Sequence, residues 1–352
     1  MPRLGPADLS LQVFGGRDVD TINFGDASGA AGGTVHGGDG YIFLGSAGTV
    51  STGGAEDRIN VYYLQDTYTV TSPGQLTALT GIGAQGAAHT LTLDGQANGD
   101  AYSVYTLGSQ GVDQRNYIIR VLDSGTGDAP DEIFIHGLNS AVNGIDPGTS
   151  KPYAADDIFV LRAASASAGI GDQAAYVAML HGALDPYLDL VKGNEPSPEV
   201  QRIYYDRGAN TRLNVLGHGG NDAMFVDDST VIATLDGGAG DDRVQIGQLY
   251  GLDRSVLAGD LLAEDDFPRL TATTRGWLSP GNTAPLLVHG GTGNDVVDVY
   301  RSSAELRIEG DDGDDLVTVR AFARALTVNF AAGTVIVVDP TTGAAFPVID
   351  AT

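Results

Sequence analysis

The chain has 352 residues, of which 42% are apolar and 50 are glycine, so it is long enough and apolar enough to bury a sizeable core. Its 19 lysine and arginine residues stand against 45 acidic ones, and a formal net charge of −26 argues against binding to nucleic-acid phosphates or to anionic membrane surfaces. The lack of cysteine excludes disulfides and thiolate metal sites, and no apolar run is long enough for a membrane span.

The N-terminal part, residues 1–162, carries acidic, mostly glycine-rich segments that each lead into a short apolar alternation. These segments are GGRDVDTIN (15–23), GGAEDRIN (53–60), GQANGDAYS (95–103), GTGDAPDEIFI (125–135) and AADDIFVL (154–161). Apolar residues that alternate with polar ones predict half-buried β-strands. We therefore expect an irregular, solenoid-like β-structure over this part of the chain.

Residues 163–200 interrupt the strand pattern. Within 172–192 the apolar residues recur at helical spacing, and Asp172 is a suitable N-cap. The apolar positions are Val177, Leu180, Leu184, Leu188 and Val191. The spacing predicts one short helical segment that packs on the core, followed by a hinge at GNEPSPEV (193–200).

Residues 201–352 contain four copies of a Gly-Gly-x-Gly-x-Asp turn, two complete and two imperfect, each followed by an apolar alternation. The copies are GHGGNDAMF (217–225), GGAGDDRVQ (237–245), GGTGNDVVD (290–298) and GDDGDDLVT (310–318). The sixth-position Asp residues of the first two copies are 20 residues apart, as are those of the last two, and a second alternation lies between them each time. This spacing predicts parallel strands that stack as coils of a β-solenoid, because one coil alone cannot bury its apolar face.

A long segment, residues 247–283, separates the second copy from the third and contains the only tryptophan, Trp277. Insertions in repeat proteins map to loops on one face. We therefore expect a long loop that covers the neighbouring coils or supplies a binding surface. After the last copy, the alternation of Leu326, Val328 and Phe330 predicts one more strand.

The turn motif brings flexible and charged residues together at one corner. Glycine allows positive φ there, and the Asp or Asn residues at the fifth and sixth positions supply oxygen ligands. Stacked coils would place carboxylates about 5 Å apart, where their repulsion of roughly 1–3 kcal/mol calls for a cation. Ligand sets of carboxylate and carbonyl oxygens, without imidazole or thiolate, favour Ca²⁺.

This motif resembles the RTX (repeats-in-toxin) nonapeptide GGxGxDxUx, which occurs in very large secreted bacterial repeat proteins. The resemblance implies a parallel β-roll with Ca²⁺ between turns, bound by the sixth-position Asp side chains and by glycine and third-position carbonyls. Only one edge carries the motif here, so we expect one ladder of ions. The expected calcium ligands are Gly219, Asn221, Asp222, Gly238, Ala239, Asp241, Asp242, Gly291, Thr292, Asn294, Asp295, Asp312, Asp314 and Asp315.

The function that these features favour is that of a non-catalytic, calcium-stabilised bacterial protein, extracellular or on the cell surface. Its role would be structural or adhesive, in a surface layer, matrix, fibre or adhesin. Its partners would be calcium ions, together with itself, other repeat units or surface glycans. The alternative is a polysaccharide-modifying parallel β-helix enzyme, a lyase, epimerase or hydrolase, that uses carboxylates near a basic residue. DDFPRL (265–270) and VYRSSAELR (299–307) contain such residues, whereas the six histidines are scattered and predict no zinc site.

Overall fold

The structure is a computed structural model, and every regular element in its described residues is a β-strand. The described residues are 12–14, 21–24, 42–43, 48–51, 56–61, 64–65, 68–72, 75–78, 90–95, 98–106, 118–122, 129–137, 156–163, 174–180, 200–206, 211–251, 271–338 and 344–351. The predicted all-β class is confirmed for this part of the chain.

The strands are short and follow one another closely. The first fifteen are β1 (Gln12–Phe14), β2 (Thr21–Phe24), β3 (Ile42–Phe43), β4 (Gly48–Ser51), β5 (Arg58–Val61), β6 (Leu64–Gln65), β7 (Tyr68–Ser72), β8 (Gln75–Ala78), β9 (Thr90–Asp94), β10 (Ala101–Tyr105), β11 (Ile118–Leu122), β12 (Glu132–His136), β13 (Ile158–Ala163), β14 (Ala174–Leu180) and β15 (Val200–Asp206). The others are β16 (Arg212–Leu216), β17 (Ala223–Val226), β18 (Ile232–Ala239), β19 (Arg243–Ile246), β20 (Leu249–Tyr250), β21 (Thr271–Thr273), β22 (Gly276–Leu278), β23 (Leu286–Thr292), β24 (Val296–Val299), β25 (Leu306–Asp312), β26 (Asp314–Val319), β27 (Leu326–Asn329), β28 (Ala332–Val338) and β29 (Ala345–Ala351).

Two large sheets, mostly parallel, contain most of these strands. The thirteen-stranded sheet has the order β1-β4-β9-β11-β15-β14-β13-β17-β19-β24-β26-β28-β29, and the nine-stranded sheet has the order β2-β5-β10-β12-β16-β18-β23-β25-β27. From β16 to β19 and from β23 to β28 the chain alternates between the nine-stranded and the thirteen-stranded sheet. Parallel neighbours within one sheet are therefore separated along the chain by a strand of the other sheet.

The register confirms the predicted spacing in the C-terminal part. Leu213 of β16 lies opposite Ala233 of β18, and Leu286 of β23 lies opposite Leu306 of β25, 20 residues on in each case. The strands predicted after the second and third copies, and the strand predicted from Leu326, Val328 and Phe330, are present as β19, β24 and β27. β16, β19 and β25 bury every second residue, which is the pattern expected when one face of a sheet is covered.

One continuous apolar core collects these alternate residues from both sheets, from Ile59 of β5 to Val335 of β28. Most of its side chains are fully buried, among them Val215, Leu235, Val288 and Ile308. A fixed register is required here, because a slip of one residue would turn a whole set of apolar side chains to the other face of the sheet.

The helical prediction over 172–192 is wrong where the structure describes it. Residues 174–180 form β14, which pairs antiparallel with both β13 and β15. Val177 and Met179 lie in the main core, whereas Tyr176 and Ala178 lie in a second cluster on the opposite face of the sheet. Both faces are buried, so no polar residue marks the strand period, and the apolar residues alone matched a helix. The predicted hinge over 193–200 lies outside the described residues except for Val200, which begins β15.

The segment 247–283 contains secondary structure of its own. Its described residues include β20, β21 and β22, which form a three-stranded antiparallel sheet. Its last residues belong to the body of the fold: Ser279 and Asn282 are fully buried, and the Asn282 amide donates to the carbonyl of Glu305 at 3.0 Å. The segment that departs from the two large sheets is therefore shorter than the sequence suggested and ends near Leu278.

Candidate functional site: two ladders of buried aspartates

The sixth-position aspartates of the turn motif form a hydrogen-bonded ladder at the edge where the chain passes into the thirteen-stranded sheet. In each step the backbone N–H of one Asp donates to Oδ1 of the Asp in the next unit. The distances are 2.7 Å from Asp157 to Asp222, 2.7 Å from Asp222 to Asp242, 2.8 Å from Asp242 to Asp295 and 3.0 Å from Asp295 to Asp315. We call these five residues the C-terminal ladder.

The ladder carboxylates turn inward, and the first glycine of the motif makes room for them. Asp222, Asp242, Asp295 and Asp315 are at most 3% exposed. A Cβ on Gly237 would overlap Asp242 Oδ2 and would lie 2.7 Å from the carbonyl oxygen of Gly290. Gly217, Gly290 and Gly310 face their own ladder aspartates in the same way. Glycine is thus required at this position by a close approach of oxygen atoms.

The second carboxylate oxygen, Oδ2, is the unusual part of the ladder. In Asp222, Asp242, Asp295 and Asp315 it is buried and has no hydrogen-bond partner. An unsatisfied buried oxygen is costly, and a charged one is more so. The arrangement thus calls for either a cation or a proton beside each Oδ2.

Burial raises the carboxyl pKa along the ladder. It raises the pKa of Asp222 to about 8, that of Asp242 to about 7 and that of Asp295 to about 6, and it also raises the pKa of Asp315. The N–H donated to each Oδ1 opposes the shift, and neighbouring carboxylates reinforce it. Without a cation, part of the ladder therefore holds protons near neutral pH.

The fifth-position residues form a parallel, exposed ladder in which Asp and Asn alternate. Each backbone N–H donates to the side-chain Oδ1 of the neighbouring unit, at 2.8–3.0 Å. The order along the edge is Asp156, Asn221, Asp241, Asn294 and Asp314. Because a neutral amide separates each pair of carboxylates, like charges are never direct neighbours in this row.

The backbone of the turn is the same in all four copies. The second position has positive φ whether it is Gly238 (98°), Gly291 (105°), His218 (71°) or Asp311 (64°). The two imperfect copies therefore keep the motif conformation and accept strain that glycine avoids. Third-position carbonyls accept N–H donors from the preceding unit, those of Ala239 and Thr292 at 2.8 Å and that of Asp312 at 2.9 Å. Gly219 forms an isolated parallel β-bridge with Ala239.

A second ladder of hydrogen-bonded aspartates lies at the opposite edge, where the chain enters the nine-stranded sheet, and it was not expected from the sequence. The N–H of Asp57 donates to Asp100 Oδ1 at 2.8 Å, and the N–H of Asp100 donates to Asp131 Oδ1 at 2.9 Å. These three residues, the N-terminal ladder, directly precede β5, β10 and β12. The signal in the sequence was an acidic residue just before each strand of the irregular repeats at 53–60, 95–103 and 125–135.

The residues of the C-terminal ladder fit a hard cation in their chemistry. Every donor is an oxygen: Oδ2 of Asp222, Asp242, Asp295 and Asp315, and, beside the first three of these, the carbonyl of the first-position glycine in the next unit. Among the described residues, no group of three or more His, Asp or Glu side chains is placed to hold a metal ion. A bound ion would therefore need backbone carbonyls and water to complete the six to eight oxygens that Ca²⁺ prefers.

A buried ion pair anchors the inserted antiparallel sheet to the body. Arg162 Nε donates to Asp227 Oδ2 at 2.8 Å, and the Tyr250 hydroxyl donates to Asp227 Oδ1 at 2.7 Å. Arg162 also reaches the Tyr176 hydroxyl at 3.4 Å. Both oxygens of this buried carboxylate are thus engaged in holding three elements together. The acidic and basic residues of 265–270, considered for catalysis, lie outside the described residues.

Two histidines that are distant in sequence meet on the nine-stranded sheet. Nδ1 of His136 lies 3.0 Å from Nε2 of His218, and the rings are nearly coplanar with centroids 5.2 Å apart, so they form an edge-to-edge N–H···N hydrogen bond. The Tyr105 ring stacks on His136 at 4.1 Å. Burial and the neighbouring His218 lower the pKa of His136 to about 4, and burial lowers the pKa of His218. The contact is therefore a pair of neutral imidazoles at neutral pH.

The chain matches no family model, no curated protein and no solved structure. No helix in the part of the chain that the structure describes is long and apolar enough to cross a membrane.

Proposed function

We propose that the chain winds as a β-solenoid stabilised by Ca²⁺ and that it serves a non-catalytic, structural or adhesive role. The two mostly parallel sheets and the alternation of the chain between them support the winding. The resemblance of the turn motif to the RTX nonapeptide supports calcium as the ion. In this proposal the protein acts outside a bacterial cell or on its surface, as part of a layer, matrix, fibre or adhesin.

The observation that carries the calcium proposal is the row of buried Oδ2 atoms without hydrogen-bond partners in Asp222, Asp242, Asp295 and Asp315. A protein that needed these aspartates only to cap turns could satisfy both oxygens with N–H donors. Here only Oδ1 is satisfied, and the space beside Oδ2 of Asp222, Asp242 and Asp295 is also lined by the carbonyl oxygen of the next first-position glycine. Such a pair of acceptors needs a cation or a shared proton between them.

In the calcium-bound protein, the Oδ2 atoms and the first-position glycine carbonyls would hold the ion, which supplies positive charge between stacked carboxylates. The residues around the ion position the ligands. The N–H donors fix the Oδ1 atoms, the first-position glycines leave space for Oδ2, and the apolar core holds the units in register.

A calcium titration tests the proposal. We expect the midpoint of thermal unfolding to rise in millimolar CaCl₂ relative to chelator, since extracellular sites bind at about 10⁻⁴–10⁻³ M and a tenfold excess over Kd adds about 1.4 kcal/mol. MgCl₂ at the same concentration controls for ionic strength. Identical unfolding curves in chelator and in calcium would overturn the calcium proposal.

The partners in this proposal are calcium ions, together with copies of the chain, other repeat units or surface glycans. The enzyme alternative predicts a different result. Turnover of a polysaccharide that is lost on one substitution, with calcium affinity unchanged, would favour catalysis over a structural role.

A further inference from the structure

Three arginines lie on the outer face of the thirteen-stranded sheet, on or just after β19, β24 and β26. Arg243 Nη2 lies 3.5 Å from Asp298 Oδ2, and Arg320 Nη1 donates to Asp298 Oδ1 at 3.1 Å. Arg301 Nη1 donates to Thr271 Oγ1 of the inserted sheet at 2.8 Å. We call Arg243, Arg301, Arg320 and Asp298 the arginine patch. Two guanidinium groups share one carboxylate and the third contacts a neutral hydroxyl, so the patch is cationic.

A cationic patch is unusual for this chain, which has 45 acidic residues against 19 lysine and arginine residues. The outer face of the nine-stranded sheet has a different charge. Asp236 and Glu309 share a row there with His289, and Arg307 is paired with Glu309. The arginine patch is therefore a surface suited to an anionic partner.

Contacts within the patch hold the arginine side chains in place. The guanidinium carbon of Arg320 lies 4.1 Å from the centre of the Tyr300 ring, in a cation–π contact. The side chains of Arg320 and Arg243 are still 27% and 55% exposed, so a ligand can reach both. A guanidinium group that is fixed before binding loses less conformational entropy when it meets a ligand.

Polar side chains lie between the arginines. Gln245, Asp298 and Thr318 share one row across β19, β24 and β26, and neighbouring strands lie about 4.8 Å apart. A flat face that combines guanidinium, amide and hydroxyl groups fits a hydrated chain of sugar rings with acidic substituents, whereas a protein interface has a more apolar centre. The guanidinium fork binds oxyanions such as carboxylates through two parallel N–H bonds.

We propose that the arginine patch binds an acidic polysaccharide, whose carboxylate or sulfate groups pair with Arg243, Arg301 and Arg320. This inference names the class of glycan for the adhesive role proposed above and rests on that role, but it does not depend on calcium in the aspartate ladders. Asp298 is a positioning residue, because it orients two guanidinium groups and reduces the repulsion between them. Repeated contacts along one polymer would raise the affinity of the anionic chain for an anionic ligand.

Biolayer interferometry of the full chain in CaCl₂ tests the contact on three surfaces. Polygalacturonate supplies carboxylates, dextran sulfate supplies sulfates, and dextran supplies neither. The parent is expected to bind one or both acidic polymers and not dextran, and binding to only one of them identifies the group that is recognised. No binding to either acidic polymer, or equal binding to dextran, would overturn the proposal.

Arginine variants locate the contact. Arg320→Ala is expected to weaken binding about tenfold or more, because it removes charge-assisted hydrogen-bond donors. Arg243→Ala is expected to weaken binding as well, and it decides the matter if Arg320→Ala lowers the unfolding midpoint. Arg307→Ala is the matched control: it removes the same charge from the other outer face, where its side chain is 60% exposed, and should keep binding within about twofold. Equal losses in all three variants would indicate attraction by overall charge and overturn the patch.

Calcium can also bridge an acidic protein and an acidic polymer, and the same variants separate the two effects. Binding that is equal in the parent, Arg243→Ala and Arg320→Ala would indicate such bridging and overturn this proposal, while the calcium proposal would stand. Binding that is lost in Arg243→Ala and Arg320→Ala would support the patch even if calcium had no effect on the unfolding midpoint. The failure of the calcium proposal and the failure of this one are therefore distinguishable.

Discussion

The two aspartate ladders perform the same structural task with different sequences. In the C-terminal ladder, Asp222 and Asp242 are 20 residues apart and stand in compact glycine-rich turns. In the N-terminal ladder, the Asp57 and Asp100 steps span 43 and 31 residues. The shared features are the N–H donated to Oδ1 and a glycine facing the carboxylate. The ladder therefore depends on where each Asp meets its strand and not on the length of chain between strands.

Filling the space beside the carboxylate is expected to have the largest effect and to affect both ladders alike. A Cβ on Gly237 would overlap Asp242 Oδ2, and a Cβ on Gly95 would overlap Asp100 Oδ2. Gly237→Ala and Gly95→Ala should each lower the free energy of unfolding by about 3 kcal/mol or more, the upper range for overpacking. Chemical denaturation in excess calcium measures the change.

Gly219→Ala is the matched control for these substitutions. A Cβ on Gly219 would have as its nearest neighbour the Ala239 carbonyl oxygen, at an ordinary contact distance of 3.7 Å. We expect a change within about 0.5 kcal/mol, as for substitutions without steric conflict. A loss at Gly237 no larger than that at Gly219 would contradict the inward position of the ladder carboxylates.

Removing the charge of one ladder residue should separate the calcium roles of the two ladders. Asp242→Asn keeps an oxygen that accepts the N–H of Asp222. It also replaces Oδ2 by an NH₂ group, which can donate to the nearby carbonyl oxygen of Gly290. Stability in chelator should therefore rise by about 1 kcal/mol, the typical net value of a hydrogen bond, while the stabilisation by calcium shrinks. Isothermal titration and thermal unfolding measure the two effects.

Asp241→Asn and Asp100→Asn are the comparison variants for Asp242→Asn. Asp241→Asn removes the same charge from the exposed row. Asp241 was among the expected ligands, but its Oδ1 accepts the N–H of Asn294 in that row, away from the buried Oδ2 atoms, so calcium binding should stay nearly intact. Asp100→Asn reports on the N-terminal ladder: a reduced calcium stoichiometry there would make both ladders ion sites, and an unchanged one would make the N-terminal ladder purely structural.

The pH dependence of metal-free stability should follow the C-terminal ladder. Folding raises the carboxyl pKa of Asp295, Asp242 and Asp222 from 3.8 to about 6, 7 and 8. The folded state then holds protons that the unfolded chain releases, so this contribution is complete below about pH 4 and is lost progressively as the pH rises from about 4 to 8. The unfolding midpoint in metal-free buffer should fall over that range.

Calcium should flatten this profile, because the ion replaces the protons on the ladder. Asp222→Asn should also reduce the slope, most clearly near pH 8. A metal-free midpoint that rises between pH 6 and pH 8 would contradict protonation of the ladder.

The smallest expected effect concerns the exposed row. Asn294→Asp would place a carboxylate between Asp241 and Asp314 and end the alternation of charge. We expect a loss of about 0.5 kcal/mol in dilute buffer, typical of exposed charge pairs, and almost none in 1 M NaCl. Unfolding at the two salt concentrations measures the difference, and a loss that persists in high salt would point to geometry in place of repulsion.

The regular strands and the ladder positions could be predicted because their signals are local. Val244 and Ile246 alternate with polar residues, and the turn motif before them recurs at a fixed spacing. The pairing of β14 could not be predicted, since tertiary contacts bury both of its faces and erase the alternation. The inward direction of Asp242 also escaped prediction, because it depends on Gly237 folding back over the carboxylate.

The N-terminal ladder was visible only in part. The glycines and the acidic residue of the segment 95–103 predict a turn before a strand. Strand pairing across variable lengths of chain then brings Asp57 and Asp131 next to Asp100. The contact of His136 with His218 has the same origin, because the two residues are 82 positions apart. Contacts set by the order of strands in a sheet leave no mark on the spacing of a single sequence.

The constant register of β16, β18, β23 and β25 also bears on how such a chain can lengthen. Leu213, Ala233, Leu286 and Leu306 occupy one row, although 53 residues separate the middle pair. A tandem duplication of 20 codons would add one more layer and return every later residue to its row. Material inserted between β19 and β23 leaves the rows untouched whatever its length. Growth by gene duplication and by domain insertion is therefore compatible with this architecture, whereas the insertion or deletion of one codon inside a strand would turn its buried residues outward.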